Sequence, residues 1–205
     1  MNDPDGFSPE DLLDALACRH SMGPQQLVEP PVPAAHLLRA AQLARRAPDH
    51  RRLRPFRFVE VGADQREALG ALFAQAARRR GADDALAEEA RRRARNGPTL
   101  VAVIARLRED VPEVPVQEQW LTAGGAIMNF LNALHLLGHG AKVVSGAALR
   151  DPAVQAAFCR EAGEMLVAWV LAGTPARAAR PRPDDDPSEP IVRWDGLPRR
   201  GDGPP

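Results

Sequence analysis

The chain predicts a fold of both helices and strands, with its strands central and buried. Two observations carry this expectation. Thr99 to Ala105 and Leu166 to Leu171 are almost unbroken apolar runs of strand length, as suits strands covered on both faces. Helical periodicity surrounds them, and Gln117 to Leu137 is its longest stretch. At 205 residues the chain can bury the core of one domain, or of two intimately joined halves.

The elements follow in order. Ser8-Pro9-Glu10-Asp11 opens a helix, with a capping hydroxyl, a proline suited to the first turn and two acids that complement the dipole. Its apolar face, Leu12, Leu13, Ala15 and Leu16, ends near Cys18, and Arg19-His20-Ser21 follows at once. Gly23 to Pro33 reads as a proline-rich linker. Leu37, Leu38, Ala41, Leu43 and Ala44 recur at helical spacing, and Pro48 disfavours helical geometry at Ala47, so this helix stops there. Phe56 to Val61 alternates as a strand start would. A helix from Asp64 to about Ala77 and another over Ala82 to Arg95 come next, the second with Glu88 and Glu89 placed to meet Arg92 and Arg93. Asn96-Gly97-Pro98 is a firm stop before the strand Thr99–Ala105. Arg106 to Val116 is a loop, and the helix after it is apolar around most of its circumference, so burial on several sides is expected. Gly124-Gly125 costs that helix about 1 kcal/mol per glycine, which suggests close approach of a backbone or a flat ligand. Asp151-Pro152 restarts a helix through Phe158, and Leu166–Leu171 is the last strand. The acidic, proline-rich stretch 181–190 reads as extended, and residues 1–7 and 196–205 as flexible tails of a single domain over 8–195.

Between the second helix and its strand lies the most chemically loaded stretch, a loop with Arg46, His50, Arg51, Arg52 and Arg54. Regular structure at both ends, stiffening prolines and a crowd of donors suit a phosphate or an electron-rich heterocycle. The alternative is a solvated basic loop.

Bulk properties exclude several partners. Lysine plus arginine balance aspartate plus glutamate at 27 each, which argues against obligate binding to nucleic acid or an anionic membrane. Arg78-Arg79-Arg80 and Arg91-Arg92-Arg93 interleave with acids and lack aromatic stacking partners, so they read as solvated faces. No apolar run reaches the eighteen residues of a membrane span, and the N-terminus has no apolar signal core. Cys18 and Cys159 form no CxxC pair and read as reduced thiols of a cytoplasmic protein. His135 and His139 lack a carboxylate or thiolate at metal-ligand spacing, so no metal site is expected. Lys142 is the single lysine of the chain.

Arg46-Ala47-Pro48-Asp49-His50, followed after four residues by Pro55-Phe56-Arg57-Phe58, resembles the signature of the nitroreductase-like flavoproteins, nearest to the branch of small NAD(P)H nitroreductases. Four further segments resemble that family in order: Arg19-His20-Ser21 after the first helix, the apolar strand after Pro98, the Ala123-Gly124-Gly125-Ala126 helix, and Gly138 to Gly146. The close of the last strand at Gly173-Thr174-Pro175 is also frequent there, and Pro190 to Trp194 resembles a terminal segment that reaches the partner subunit.

The resemblance implies an α+β nitroreductase-like fold, a central mixed sheet flanked by helices, in an obligate homodimer with FMN at the subunit interface, using NAD(P)H and a nitro, quinone or similar electron-poor small-molecule oxidant in ping-pong fashion. It assigns Arg19 and Ser21 to the phosphate and ribityl chain, with His20 in a variable place, and Arg46 and His50 to the flavin or its ribityl chain. Val143, Val144 and Ser145 would line the flavin through a strand and turn. Here the chain departs from the family, with Val143 for an aromatic residue and Val144 for a cation. Lys142, two residues before Val144 and so on the same strand face, is expected to supply some of that lost charge, or else to be merely solvated. Phe56 in place of the commoner Trp, and a missing arginine after Arg19-His20-Ser21, are further departures. They leave two other readings open: a flavin-fold protein acting as a binding or dimeric interaction module without redox turnover, and a different FMN enzyme on the same fold.

Overall fold

A computed structural model describes residues 8–178 together with Ile191, Arg193 and Trp194. The expectations for 1–7, 181–190 and 196–205 lie outside the described residues.

The chain runs α1 (Pro9–Ala17), β1 (Leu27–Val28), α2 (Ala34–Ala44), β2 (Phe56–Glu60), α3 (Arg66–Arg79), α4 (Asp84–Arg93), β3 (Thr99–Arg106), α5 (Val116–Leu136), β4 (Gly140–Val144), α6 (Pro152–Phe158) and β5 (Glu164–Pro175). The local signals hold. Ser8 and Asp11 form a reciprocal capping box, at 3.1 Å from the Asp11 amide to Ser8 Oγ and 2.8 Å from the Ser8 amide to the Asp11 carboxylate. Asp151 caps α6 through the Ala153 and Val154 amides. Within the expected linker the structure adds β1, two residues paired with Pro175 and Thr174, too short to leave a period in sequence.

The sheet corrects one expectation. It is not mixed: every pairing between named strands is antiparallel, and the parallel contact is an isolated bridge from Ser21 to Ala141. β2 reaches β3 through two helices, so the chain returns reversed. β3 and β4 do point the same way, joined by α5 as in a crossover, but β5 inserts between them. Thus β5 pairs with β3 on one side and β4 on the other, and β2 forms the far edge beyond β3.

Alternation along β3 and β5 divides the core. Val101, Val103, Ala168, Val170 and Ala172 face α2 and α5, packing on Leu37, Ala40, Phe130 and Leu134. Leu100, Ala102, Ile104, Trp169 and Leu171 face α3 and α6, packing on Leu69, Phe73 and Val154. A register shift beside Val103 and Ile104 keeps this alternation in step on the two strands. Both faces of β3 are covered, as its apolar run requires.

α5 departs from the expectation of burial all round. Ala123, Ala126, Phe130 and Leu134 face the sheet, but Leu121 is 76% exposed and Met128 44%, with Gly124 open between them. Gly125 does meet a close approach, since a Cβ there would lie 3.4 Å from Ala47. On α4 the predicted Glu89–Arg93 pair forms at 2.6 Å, whereas Arg91 and Arg95 reach across to Glu67 of α3.

Candidate functional site

The Arg19–Ser21 segment is placed by α1. The Arg19 amide closes the helix end on the Leu16 carbonyl, and His20 Nδ1 lies 3.1 Å from the Cys18 carbonyl. Ser21 then bridges to Ala141, and the Met22 amide donates to the same residue's carbonyl. The structure therefore brings Arg19, His20 and Ser21 beside β4, which carries Lys142, Val143 and Val144. Those side chains alternate. Val143 packs on the α2/α5 side, while Lys142 and Val144 line, with Ser145, a cavity of about 240 Å³ floored by Trp169 and Phe73 on the other side. Lys142 and Val144 do share a strand face, and Lys142 has no ion-pair partner among the described residues.

The second group, Arg46 and His50, sits on the loop between α2 and β2. Here the backbone is unusual. Arg51, Arg52 and Arg54 all have left-handed φ, at 57°, 55° and 51°, each costing roughly 1–2 kcal/mol. Asp49 offsets that strain, accepting from the Leu53 amide at 3.0 Å and the Arg54 amide at 2.8 Å, while its carbonyl takes the Arg52 amide. α5 holds the loop from beneath through Thr122 Oγ1, which donates to the Pro48 carbonyl at 2.7 Å, and Glu118, 2.9 Å from His50 Nδ1. Asp49→Ala should destabilise the protein by about 2 kcal/mol and speed amide exchange at Leu53 and Arg54, measured by urea denaturation and hydrogen exchange. Unchanged exchange at those two amides would show that the carboxylate does not hold the loop.

Arg46 lines a cavity of about 1190 Å³ with Arg39, Arg45, Arg52 and Arg54 over an apolar floor that includes Leu43, Phe56 and Leu136. None of these five guanidiniums is ion-paired to a carboxylate of the described residues. Sequence reasoning missed Arg39 and Arg45 here. For Arg39 the signal was present, since it and Gln42 follow helical spacing along one face of α2, and that row points on to Arg46 just past the helix end.

The two groups are not brought together within one chain. β4 lies on the outer side of β5 and β2 on the outer side of β3, three strand spacings away. Phe56, just after the loop, is in register with Ala105 and Met165, whereas Ala141 pairs with Ala172 at the other end of β5. By strand geometry, Phe56 and Ala141 are on the order of 25 Å apart. His36 and His139, 2.8 Å apart, tie the start of α2 to the turn before β4. Burial, and then the neighbouring His36, push His139 below the usual imidazole range. No group of three metal-ligating side chains occurs among the described residues, and none of their helices is long and apolar enough to cross a membrane.

Comparison with known proteins bears on this arrangement. The model of a family described as the Nitroreductase family matches residues 19–174. A protein of Escherichia coli strain K12 named "Putative NAD(P)H nitroreductase YdjA" is 33% identical over 166 residues, 80% of this chain and 88% of that one. Among solved structures, a nitroreductase-like family protein from Bacillus cereus superposes with a TM-score of 0.70 at 16% identity, covering 96% of this chain and all of that one. A Desulfovibrio desulfuricans protein, solved as "a putative nitroreductase in complex with fmn", gives 0.59 at 21% identity over 91% of this chain and 100% of its own. At those identities the two structures speak to the fold.

Proposed function

The chain belongs to the nitroreductase family, and from that premise we propose that it is an FMN-dependent NAD(P)H oxidoreductase working as a homodimer, reducing a nitro, quinone or similar electron-poor acceptor with ping-pong kinetics. The observation that carries this reading is the separation of its two donor groups. Arg19 and Ser21 beside β4 suit a phosphate, and the Arg46 loop suits an electron-rich ring, yet the two lie at opposite edges of the sheet. A second copy, seated on the exposed Leu121–Gly124–Met128 face of α5, would supply the missing half.

The residues fit the group. The Arg19 guanidinium offers a forked pair of donors to a phosphate, and the Ser21 hydroxyl a further one. Lys142, on the Val144 face, adds a cation where the valine cannot. Arg46 places positive charge where a reduced ring would hold negative charge. Bound FMN would supply hydride acceptance and donation at its N5. No side chain of this chain need act as a nucleophile, since acceptor reduction can take its proton from water.

Purified protein should be yellow, with flavin absorbance that bleaches on anaerobic addition of NADPH. Arg19→Ala should weaken FMN retention by about 1.5–3 kcal/mol, read by flavin fluorescence on dilution. Unchanged affinity would show that the phosphate lies elsewhere. The apolar packing of Val143 and Val144 favours one alternative, a flavin-fold binding or interaction module without turnover. A colourless protein that takes up no FMN would decide for it.

A further inference from the structure

Five guanidiniums around one basin exceed what a single flavin ring can use. Arg39 stands on α2, Arg45 and Arg46 follow its end, and Arg52 and Arg54 stand on the loop that Asp49 braces. Asp49 is the one carboxylate in the lining, and both of its oxygens accept from backbone amides. The acids that pair with neighbouring cations, Glu113 with Arg51 and Glu118 with His50, belong to the α5 side and stand outside the basin lining. In a chain with no net charge, five guanidiniums to one carboxylate is a marked local excess. Its floor of Leu43, Phe56, Ala133 and Leu136 gives an apolar bed, so the basin combines a surface for a flat ring with several fork-shaped anion donors.

We propose that this basin selects a dinucleotide carrying a third phosphate on its adenosine ribose, so that the reductant is NADPH and not NADH. The inference rests on the functional reading above and narrows it. NADH presents only the two singly charged phosphates of its bridge. The extra monoester of NADPH brings close to two more negative charges and three strong acceptor oxygens. Arg46 is assigned to the flavin, which leaves Arg39, Arg45, Arg52 and Arg54 for the dinucleotide. The left-handed backbone at Arg52 and Arg54 is fixed before any ligand arrives, so ordering the loop costs little on binding.

The test is calorimetric titration of the flavin-loaded protein with 2′,5′-ADP, 3′,5′-ADP and 5′-AMP at low salt. The expected result is 2′,5′-ADP binding roughly 10- to 100-fold tighter than 5′-AMP, the scale of one charge-assisted contact. Binding of 2′,5′-ADP should also weaken steeply with added salt. In the double variant Arg39→Gln/Arg52→Asn the ratio of the two affinities should fall towards one. Asn tolerates the left-handed backbone at 52 and both positions are exposed, so the variant should keep the parent's melting temperature. Equal binding of 2′,5′-ADP and 5′-AMP, or equal binding of the 2′ and 3′ isomers, would overturn the inference, as would an undiminished ratio in the folded variant. Because the titration reads binding and not turnover, a yellow, NADH-preferring protein sinks this inference alone. A protein that never takes up flavin sinks the reading beneath it as well.

Discussion

Glu164→Gln should lower the unfolding free energy at neutral pH by about 3 kcal/mol, the lower end of what breaking a buried ion pair costs. The side chain of Glu164 is 3% exposed at the start of β5, and both of its oxygens engage Arg57 of β2, at 2.6 and 2.7 Å. It also accepts the Arg160 amide at 2.7 Å and has Arg106 of β3 at 3.6 Å. One carboxylate thus clasps β2, β3 and β5 at one end of the sheet. The Arg57 guanidinium holds it well below the usual carboxylate range, at about 2. A group depressed on folding contributes fully above its unfolded value, near 4.5, and loses that contribution as pH falls towards about 2. Urea denaturation of the parent and the variant should therefore give curves about 3 kcal/mol apart at pH 7 that converge as pH drops from about 4.5 to about 2. Taking the difference between the two proteins removes the parallel contribution of Asp151, which Arg79 also depresses. A constant gap across that range would mean that the clasp is not electrostatic.

That clasp marks where sequence reasoning stops. Arg57 and Glu164 stand 107 positions apart, and nothing local couples them. What was legible is what short-range physics decides: the capping hydroxyl of Ser8, the stop before Pro48, the apolar run of β3 and the helix restarted at Asp151-Pro152. The antiparallel sheet was not legible, because the β3–α5–β4 segment has the form of a crossover, and only the placement of β5 separates the two strands. The exposed side of α5 was hidden too, since an apolar residue in a helical pattern reads alike whether it is buried against the sheet or left exposed. At the site, the neighbourhood of Arg19–Ser21 and β4 was legible as order along the chain and stands in the structure as the Ser21–Ala141 bridge. The distance between that edge and the Arg46 loop depends on strand order, which no motif encodes. The loop with Arg51, Arg52 and Arg54 reads in sequence as stiffened by prolines and by regular structure at both ends, but the left-handed backbone of those residues, and the bonds from Asp49 and Thr122 that hold the loop, leave no local signature.

Phe130→Ala should cost about 3–5 kcal/mol and lower the melting temperature by roughly 6–20 °C. Phe130 is 1% exposed, lies on the buried face of α5 and stacks on Phe58 of β2 with ring centroids 4.4 Å apart. It is the largest of the side chains that fix α5 to the sheet, and α5 in turn positions both halves of the candidate site. Its N-terminal half carries Glu118 and Thr122 beneath the arginine loop, and its C-terminal end leads through Gly138 into β4. Loss of the ring should therefore loosen flavin retention along with stability, although Phe130 lies among core residues and lines neither site cavity. A cycle with Phe58→Ala separates packing from the aromatic pair: the double variant should be less destabilised than the two single effects summed, by about 0.5–1.5 kcal/mol. Phe130→Leu, which refills most of the space, should recover most of the stability and the flavin retention. Strict additivity would mean that the Phe58–Phe130 stack adds nothing beyond buried area. Full flavin retention in Phe130→Ala would mean that the arginine loop and β4 keep their places without α5 firmly seated on the sheet.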